Sequence, residues 1–73
     1  MIAIVLIKTD AGKAFSACSE IGKIDGVERA HVVTGPYDLV AVVDASDISL
    51  RSLVAAIHDT RGVQRTQTCI AVT

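Results

Sequence analysis

Two kinds of apolar spacing alternate along this chain. Ile2-Ala3-Ile4-Val5-Leu6-Ile7 and Leu39-Val40-Ala41-Val42-Val43 are short unbroken runs rich in branched side chains. Runs of this kind suit strands covered on both faces. Each run is followed by a spacing of three and four. Ala11, Ala14, Phe15, Cys18 and Ile21 form one helical stripe, with Asp10 as the cap of a helix starting at Ala11. Leu50, Leu53, Val54 and Ile57 form a second stripe, capped by Ser46 or Asp47. Gly22 and Gly26 end the first helix, and Gly62 ends the second. Two further strands are predicted over Val27 to Thr34 and Val63 to Val72. They are more polar, carrying Glu28, Arg29 and His31 in one and Gln64, Arg65, Thr66, Gln67 and Thr68 in the other.

The second half of the chain repeats the first. Gly26-Val27-Glu28-Arg29 returns as Gly62-Val63-Gln64-Arg65, and the same offset lays Cys18 and Ile21 on Val54 and Ile57. A doubled strand-helix-strand unit gives a four-stranded sheet with two helices on one face. Strands one and three are apolar throughout and belong in the middle. Strands two and four are mixed and belong at the edges, where charge discourages stray pairing. The antiparallel order 4-1-3-2 meets this and keeps both crossovers right-handed. The predicted class is therefore α+β, a ferredoxin-like βαββαβ fold, in one domain over residues 1–73.

Composition adds a demand for a partner. The chain has 73 residues, of which 51% are hydrophobic, and a mean hydropathy of +0.50. A domain this small rarely gains more than about 3–5 kcal/mol from its own core. The two helices cover one sheet face, so the other needs a cover, and a second copy related by a two-fold axis is the simplest one. A face-to-face dimer, an αβ sandwich or barrel, is expected. The longest apolar run falls far short of the roughly 20 residues that cross a bilayer. No secretory pattern is present, so a cytoplasmic location without membrane association is expected. The net charge is −1 and the seven basic residues are scattered, which argues against electrostatic binding of nucleic acid. Phe15 and Tyr37 are the only aromatics, too few for a base-stacking platform. Cys18 and Cys69 lie in different elements outside any CxxC pair, and both are expected to be free and buried.

Candidate chemistry is concentrated in two places. Thr34-Gly35-Pro36-Tyr37-Asp38 is the densest polar group, at a turn marked by Gly and Pro. Asp38 offers a carboxylate to an ammonium group, Tyr37 an apolar ring with a polar tip, and Gly35 a backbone that a ligand can approach. By itself the segment also reads as an ordinary hairpin turn. Thr66 and Thr68 alternate on strand four and so share a face with Ile70 and Val72. Hydroxyls beside aliphatic walls suit a small zwitterion with an apolar side chain, and threonine is also common in edge strands. His31 and His58 have no metal-ligand spacing, and no nucleophile has a base and orienter near it in sequence. Neither catalytic residues nor a metal or cofactor site is expected.

The string Val27 to Asp38, taken with Gly62-Val63-Gln64-Arg65-Thr66-Gln67-Thr68, resembles the effector-binding domain of the Lrp/AsnC (feast/famine) regulators. The match spans nearly the whole chain: a strand ending in Thr-Gly-x-Tyr-Asp, an apolar strand, an amphipathic helix ending in Gly-Val, and a Thr-x-Thr-x-Ile ending. Members usually carry an N-terminal helix-turn-helix domain. This chain begins directly in its first strand and resembles the stand-alone version, or RAM domain. The resemblance implies dimers joined through their sheet faces, larger rings such as octamers, and amino-acid effectors bound between dimers. It implies an effector pocket of Gly35, Tyr37 and Asp38, flanked by Val33 and Thr34, with Thr66 and Thr68 from strand four. Turn N–H groups would hold the effector carboxylate. The expected activity is modulation of transcription through self-assembly or a full-length Lrp/AsnC regulator. A small dimeric αβ-barrel enzyme and a ligand-free assembly domain are the alternatives.

Overall fold

Alternation of side chains along the two apolar strands organises the molecule. In a computed structural model, described over residues 1–46 and 48–73, the elements are β1 (Ile2–Thr9), α1 (Ala14–Ile21), β2 (Val27–Val32), β3 (Leu39–Asp44), α2 (Leu50–His58) and β4 (Val63–Ile70). The strands form one antiparallel sheet in the order β2-β3-β1-β4. This is the predicted ferredoxin-like arrangement, with the apolar strands central and the mixed strands at the edges.

One parity of each central strand is buried: Ala3, Val5, Ile7 and Thr9 on β1, and Leu39, Ala41 and Val43 on β3. Ala17 and Ile21 from α1 and Leu53 and Ile57 from α2 close over them. Each helix thus contributes an i, i+4 pair. Fully burying a Val, Leu or Ile side chain is worth about 1.5–3 kcal/mol, so these positions define the core.

The opposite parity forms the helix-free face, and the strand register arranges it in cross-strand rows. One row is Arg29, Val42, Ile4 and Cys69; the next is His31, Val40, Leu6 and Gln67. Ile2 and Ile4 are 41% and 38% exposed there. The centre of this face is aliphatic and its ends are polar.

Several local expectations change. Helix α1 starts at Ala14 behind Lys13, which makes no side-chain cap. Gly12, with φ of +76°, leaves the right-handed helical region and delays the helix. The Asp10 carbonyl accepts the Lys13 N–H at 3.1 Å, and its carboxylate accepts from Gln64 Nε2 at 3.0 Å instead of capping. Ala14, Cys18 and Ile21 of the expected stripe pack in or against the core, with Ala17 in place of Phe15, which is 79% exposed. Ser49 caps α2, its hydroxyl accepting from the Ser52 N–H at 3.4 Å. The Ser46 N–H goes to the Asp44 carboxylate, and Asp47 lies outside the described residues. Both cysteines are free, Cys18 half-buried but Cys69 exposed, because Cys69 has the helix-free parity.

The repeated Gly-Val steps are a repeat of geometry. Gly26 and Gly62 open the two edge strands with φ of +96° and +92°. A Cβ on Gly26 would lie 2.5 Å from Leu53 Cδ1, and one on Gly62 would lie 2.8 Å from Lys13 Cβ. Both positions therefore need glycine for conformation and for space.

Candidate functional site

The polar turn is fastened to the end of β1. The Asp38 N–H donates to the Ile7 carbonyl at 2.9 Å, and the Val33 N–H to the Asp38 carbonyl at 3.0 Å. Asp38 Oδ2 accepts from the Thr9 N–H at 2.8 Å and from Thr9 Oγ1 at 3.3 Å. Lys8 Nζ lies 3.7 Å from the same oxygen. The donated Thr9 N–H, helped by the Lys8 charge, holds the Asp38 carboxyl below the usual carboxylate range. The group is ionised at neutral pH. Gly35 takes φ of +124°, and a Cβ there would meet nothing within 4 Å. Its backbone is open to solvent.

Beneath the turn, β1 and β4 change register. Lys8 pairs with Arg65 but Thr9 with Val63, leaving Gln64 as the extra residue of a bulge. Bulges re-aim side chains and are over-represented beside active sites. Here the bulge sends the Gln64 amide to Asp10, while Lys8 and Arg65 stay paired on the helix-free face.

The predicted site residues divide between the two sides of the sheet. Thr66 and Thr68 pair with buried Ile7 and Val5, so they face the helices, with Ile70 on the same side opposite Ala3. The Tyr37 hydroxyl instead donates to Gln67 Oε1, and Gln67 lies opposite Leu6 on the helix-free side. Within one chain, the Gly35-Tyr37-Asp38 group and the threonine pair do not converge on a common cleft. Thr34, Gly35 and Pro36 are exposed, and Val33 is half-buried. An open groove of about 690 Å³ lies elsewhere, between α1 and the end of α2, with Lys13, Ser16, Glu20, Asp59 and Arg61 in its walls. Its hydroxyls on Ser16 and Thr60 are turned onto helix carbonyls, and it contains none of the predicted site residues.

The sequence reading missed Lys8, Thr9 and Gln67 as neighbours of the turn, and Arg65 as the cross-strand partner of Lys8. Period-two parity alone aligns Arg65 with Gln67 and Lys8 with Leu6. What the sequence lacks is the register: the β1–β3 pairing sets Lys8 and Thr9 beside Asp38, and the β1–β4 pairing sets Arg65 opposite Lys8 and Gln67 opposite Leu6. Among the described residues, no group of three or more His, Cys, Asp or Glu is placed to hold a metal ion. No described helix is long and apolar enough to cross a membrane.

A four-stranded antiparallel sheet of this order with two helices on one face defines the class of ferredoxin-like α+β domains. The profile of the Lrp/AsnC ligand binding domain matches residues 2–73. The chain is 32% identical over 73 residues to the HTH-type transcriptional regulator FL11 of Pyrococcus abyssi, covering 99% of this chain and 48% of that protein. It thus spans about half the length of that curated relative. The crystal structure of TTHA0845 from Thermus thermophilus superposes with a TM-score of 0.85 at 33% identity, over 99% of this chain and 92% of that one. The feast or famine regulatory protein Rv3291c of M. tuberculosis, complexed with L-methionine, superposes with a TM-score of 0.80 at 30% identity, over 99% of this chain and 50% of that one. The chain belongs to the Lrp/AsnC ligand-binding-domain family.

Proposed function

We propose that this domain binds a free amino acid and conveys its presence to a transcription regulator through assembly, without itself binding DNA. The observation that carries this reading is the ionised Asp38 carboxylate clasped at an exposed glycine turn. A fixed anion beside open backbone and an aromatic ring complements an ammonium group with an attached side chain. The relatives support the same reading, since FL11 is a transcriptional regulator and the Rv3291c protein was solved with L-methionine. The regulator acted on would be a full-length member of the family or further copies of this chain.

Assembly enters because one chain holds only part of the pocket. Ile2, Ile4, Leu6, Val40 and Val42 form an apolar centre on the helix-free face. A second copy laid on that face removes it from water, giving the dimer, and further association would bring Thr66 and Thr68 of one copy towards the turn of another. Higher rings, octamers among them, follow from such contacts. The site is then Gly35, Tyr37 and Asp38 with Val33 and Thr34 at its margin and the threonines opposite.

Calorimetric titration with the twenty amino acids tests the reading. Binding by at least one of them, lost in Asp38→Ala with the oligomer intact, is the expected result. Unchanged affinity in Asp38→Ala removes that residue from the site. A second reading, an assembly domain without ligand, is favoured by the contacts Asp38 Oδ2 already makes with Thr9 and Lys8. An absence of binding across the whole panel would select it.

A further inference from the structure

We infer that Thr9 is a positioning residue of the effector site, fixing the Asp38 carboxylate from the buried side of the sheet so that one carboxylate oxygen is left for the ligand. The inference rests on the amino-acid reading above and leaves the pocket residues as they are. Thr9 is 5% exposed and, among the described residues, is the one polar side chain that is buried. A buried hydroxyl needs a partner, and Asp38 Oδ2 is that partner, 3.3 Å from Thr9 Oγ1. Strand pairing accounts for the backbone bond. The β1–β3 ladder ends at Ile7 and Leu39, where the Asp38 N–H donates to the Ile7 carbonyl. The next N–H on that edge of β1 belongs to Thr9. No strand carbonyl remains for it, and it donates to Asp38 Oδ2 at 2.8 Å. Lys8 Nζ approaches the same oxygen. Among the described residues, Asp38 Oδ1 accepts no hydrogen bond. Two donors from one buried residue thus hold one oxygen and leave the other unpaired.

Thr9 is itself held from its other side. It pairs with Val63 of β4 just past the bulge. The next residue, Asp10, donates its N–H to the Gly62 carbonyl at 2.8 Å and accepts from Gln64 Nε2 at 3.0 Å. Two consecutive residues therefore join three connections at one end of the sheet: the β2–β3 turn, the β1–α1 connection and the α2–β4 connection. Threonine is β-branched, so few χ1 states are open to it and its hydroxyl stays aimed. A carboxylate fixed in this way needs little reordering when a ligand arrives. Thr9 lies under the helices and acts through Asp38, without touching the ligand.

The test follows Asp38 by NMR. In wild type, the Thr9 amide proton should move with pH in step with the Asp38 carboxyl carbon, since that N–H is bonded to the titrating group. A Thr9 amide that does not follow Asp38 would overturn the inference, with no variant and no ligand involved. In Thr9→Val the Asp38 midpoint should rise towards the ordinary carboxylate range, because the ionised form loses a donor. Thr9→Ser keeps the hydroxyl and should keep the wild-type midpoint. An unchanged midpoint in Thr9→Val would also overturn the inference. Calorimetry then uses each amino acid that binds wild type. Thr9→Val is expected to weaken it by about twofold to tenfold, the loss of one hydrogen bond, and Thr9→Ser to restore the affinity. Equal affinities of wild type and Thr9→Val would overturn the inference while leaving the amino-acid reading in place.

Discussion

The Tyr37 hydroxyl donates to the Gln67 side-chain carbonyl, joining the β2–β3 turn to the far edge strand across β1. With the Asp38 clasp on Thr9, it gives the turn two anchors on different strands. Such a turn is held in place before a ligand arrives, so less ordering is required on binding. Tyr37→Phe removes one hydrogen bond from a partly exposed site. A net loss of about 0.5–1.5 kcal/mol is expected in urea unfolding, with Gln67→Ala giving a similar loss. Because both variants cut the same bond, the double variant should lose less than the sum of the two.

Asp38 and Asp44 both have carboxyls held below the ordinary range. The Thr9 backbone N–H is the main cause at Asp38, and the Ser46 hydroxyl and N–H are the main causes at Asp44. A depressed folded-state value means that the unfolded chain takes up the proton first. The stabilisation is therefore complete above the unfolded carboxylate range and disappears as pH falls through that range to the folded value. Thermal unfolding temperature should be flat near neutrality and fall on acidification. Asp38→Asn should be less stable than wild type near neutrality, and the gap should narrow in acid. A gap that stays constant with pH would show that the Asp38 charge contributes nothing.

Glycines at the two kinds of positive φ should respond differently to alanine. Gly26 has φ of +96° and no room, with Leu53 Cδ1 2.5 Å from an added Cβ. Gly12 has φ of +76° and open space. Gly12→Ala should cost only the left-handed penalty, about 1–2 kcal/mol. Gly26→Ala adds displacement of a core leucine, an overpacking cost of about another 1–3 kcal/mol. Chemical denaturation of the two variants orders them, and equal losses would contradict the crowding at Gly26.

The fold was legible because the chain states it twice. Unbroken apolar runs marked β1 and β3, and polar interruptions such as Glu28 and Gln64 marked the edges. Burial periodicity found Leu53 and Ile57 without error but put Phe15 in the core. A window starting at Ala11 misses the turn that Gly12 imposes; the stripe of α1 is Ala14, Ala17, Cys18 and Ile21, which leaves Phe15 outside it. The turn 34–38 stood out by composition, yet its surroundings did not. Thr9 and Lys8 reach Asp38 through strand register, a long-range property that no local pattern encodes. The β1–β4 register also separates Thr66 from Tyr37, since Gln67, which holds the Tyr37 hydroxyl, faces the other side of β4.

The two parities of β1 offer a final test, since neighbours in sequence have different partners. Ile7 is fully buried under the helices, and Ile4 is 38% exposed on the helix-free face. Ile7→Ala should cost about 2–5 kcal/mol whatever the protein concentration, because it leaves a cavity within one chain. Ile4→Ala should barely alter a lone chain. On the proposed dimer face, however, Ile4→Asp places an unpaired charge beside Leu6, Val40 and Val42 of two copies. Light scattering should then report monomers at micromolar concentration where wild type is associated. Stability should also become independent of concentration, since the linkage between folding and association is broken. If Ile4→Asp assembles as well as wild type does, the helix-free face is not the contact between copies.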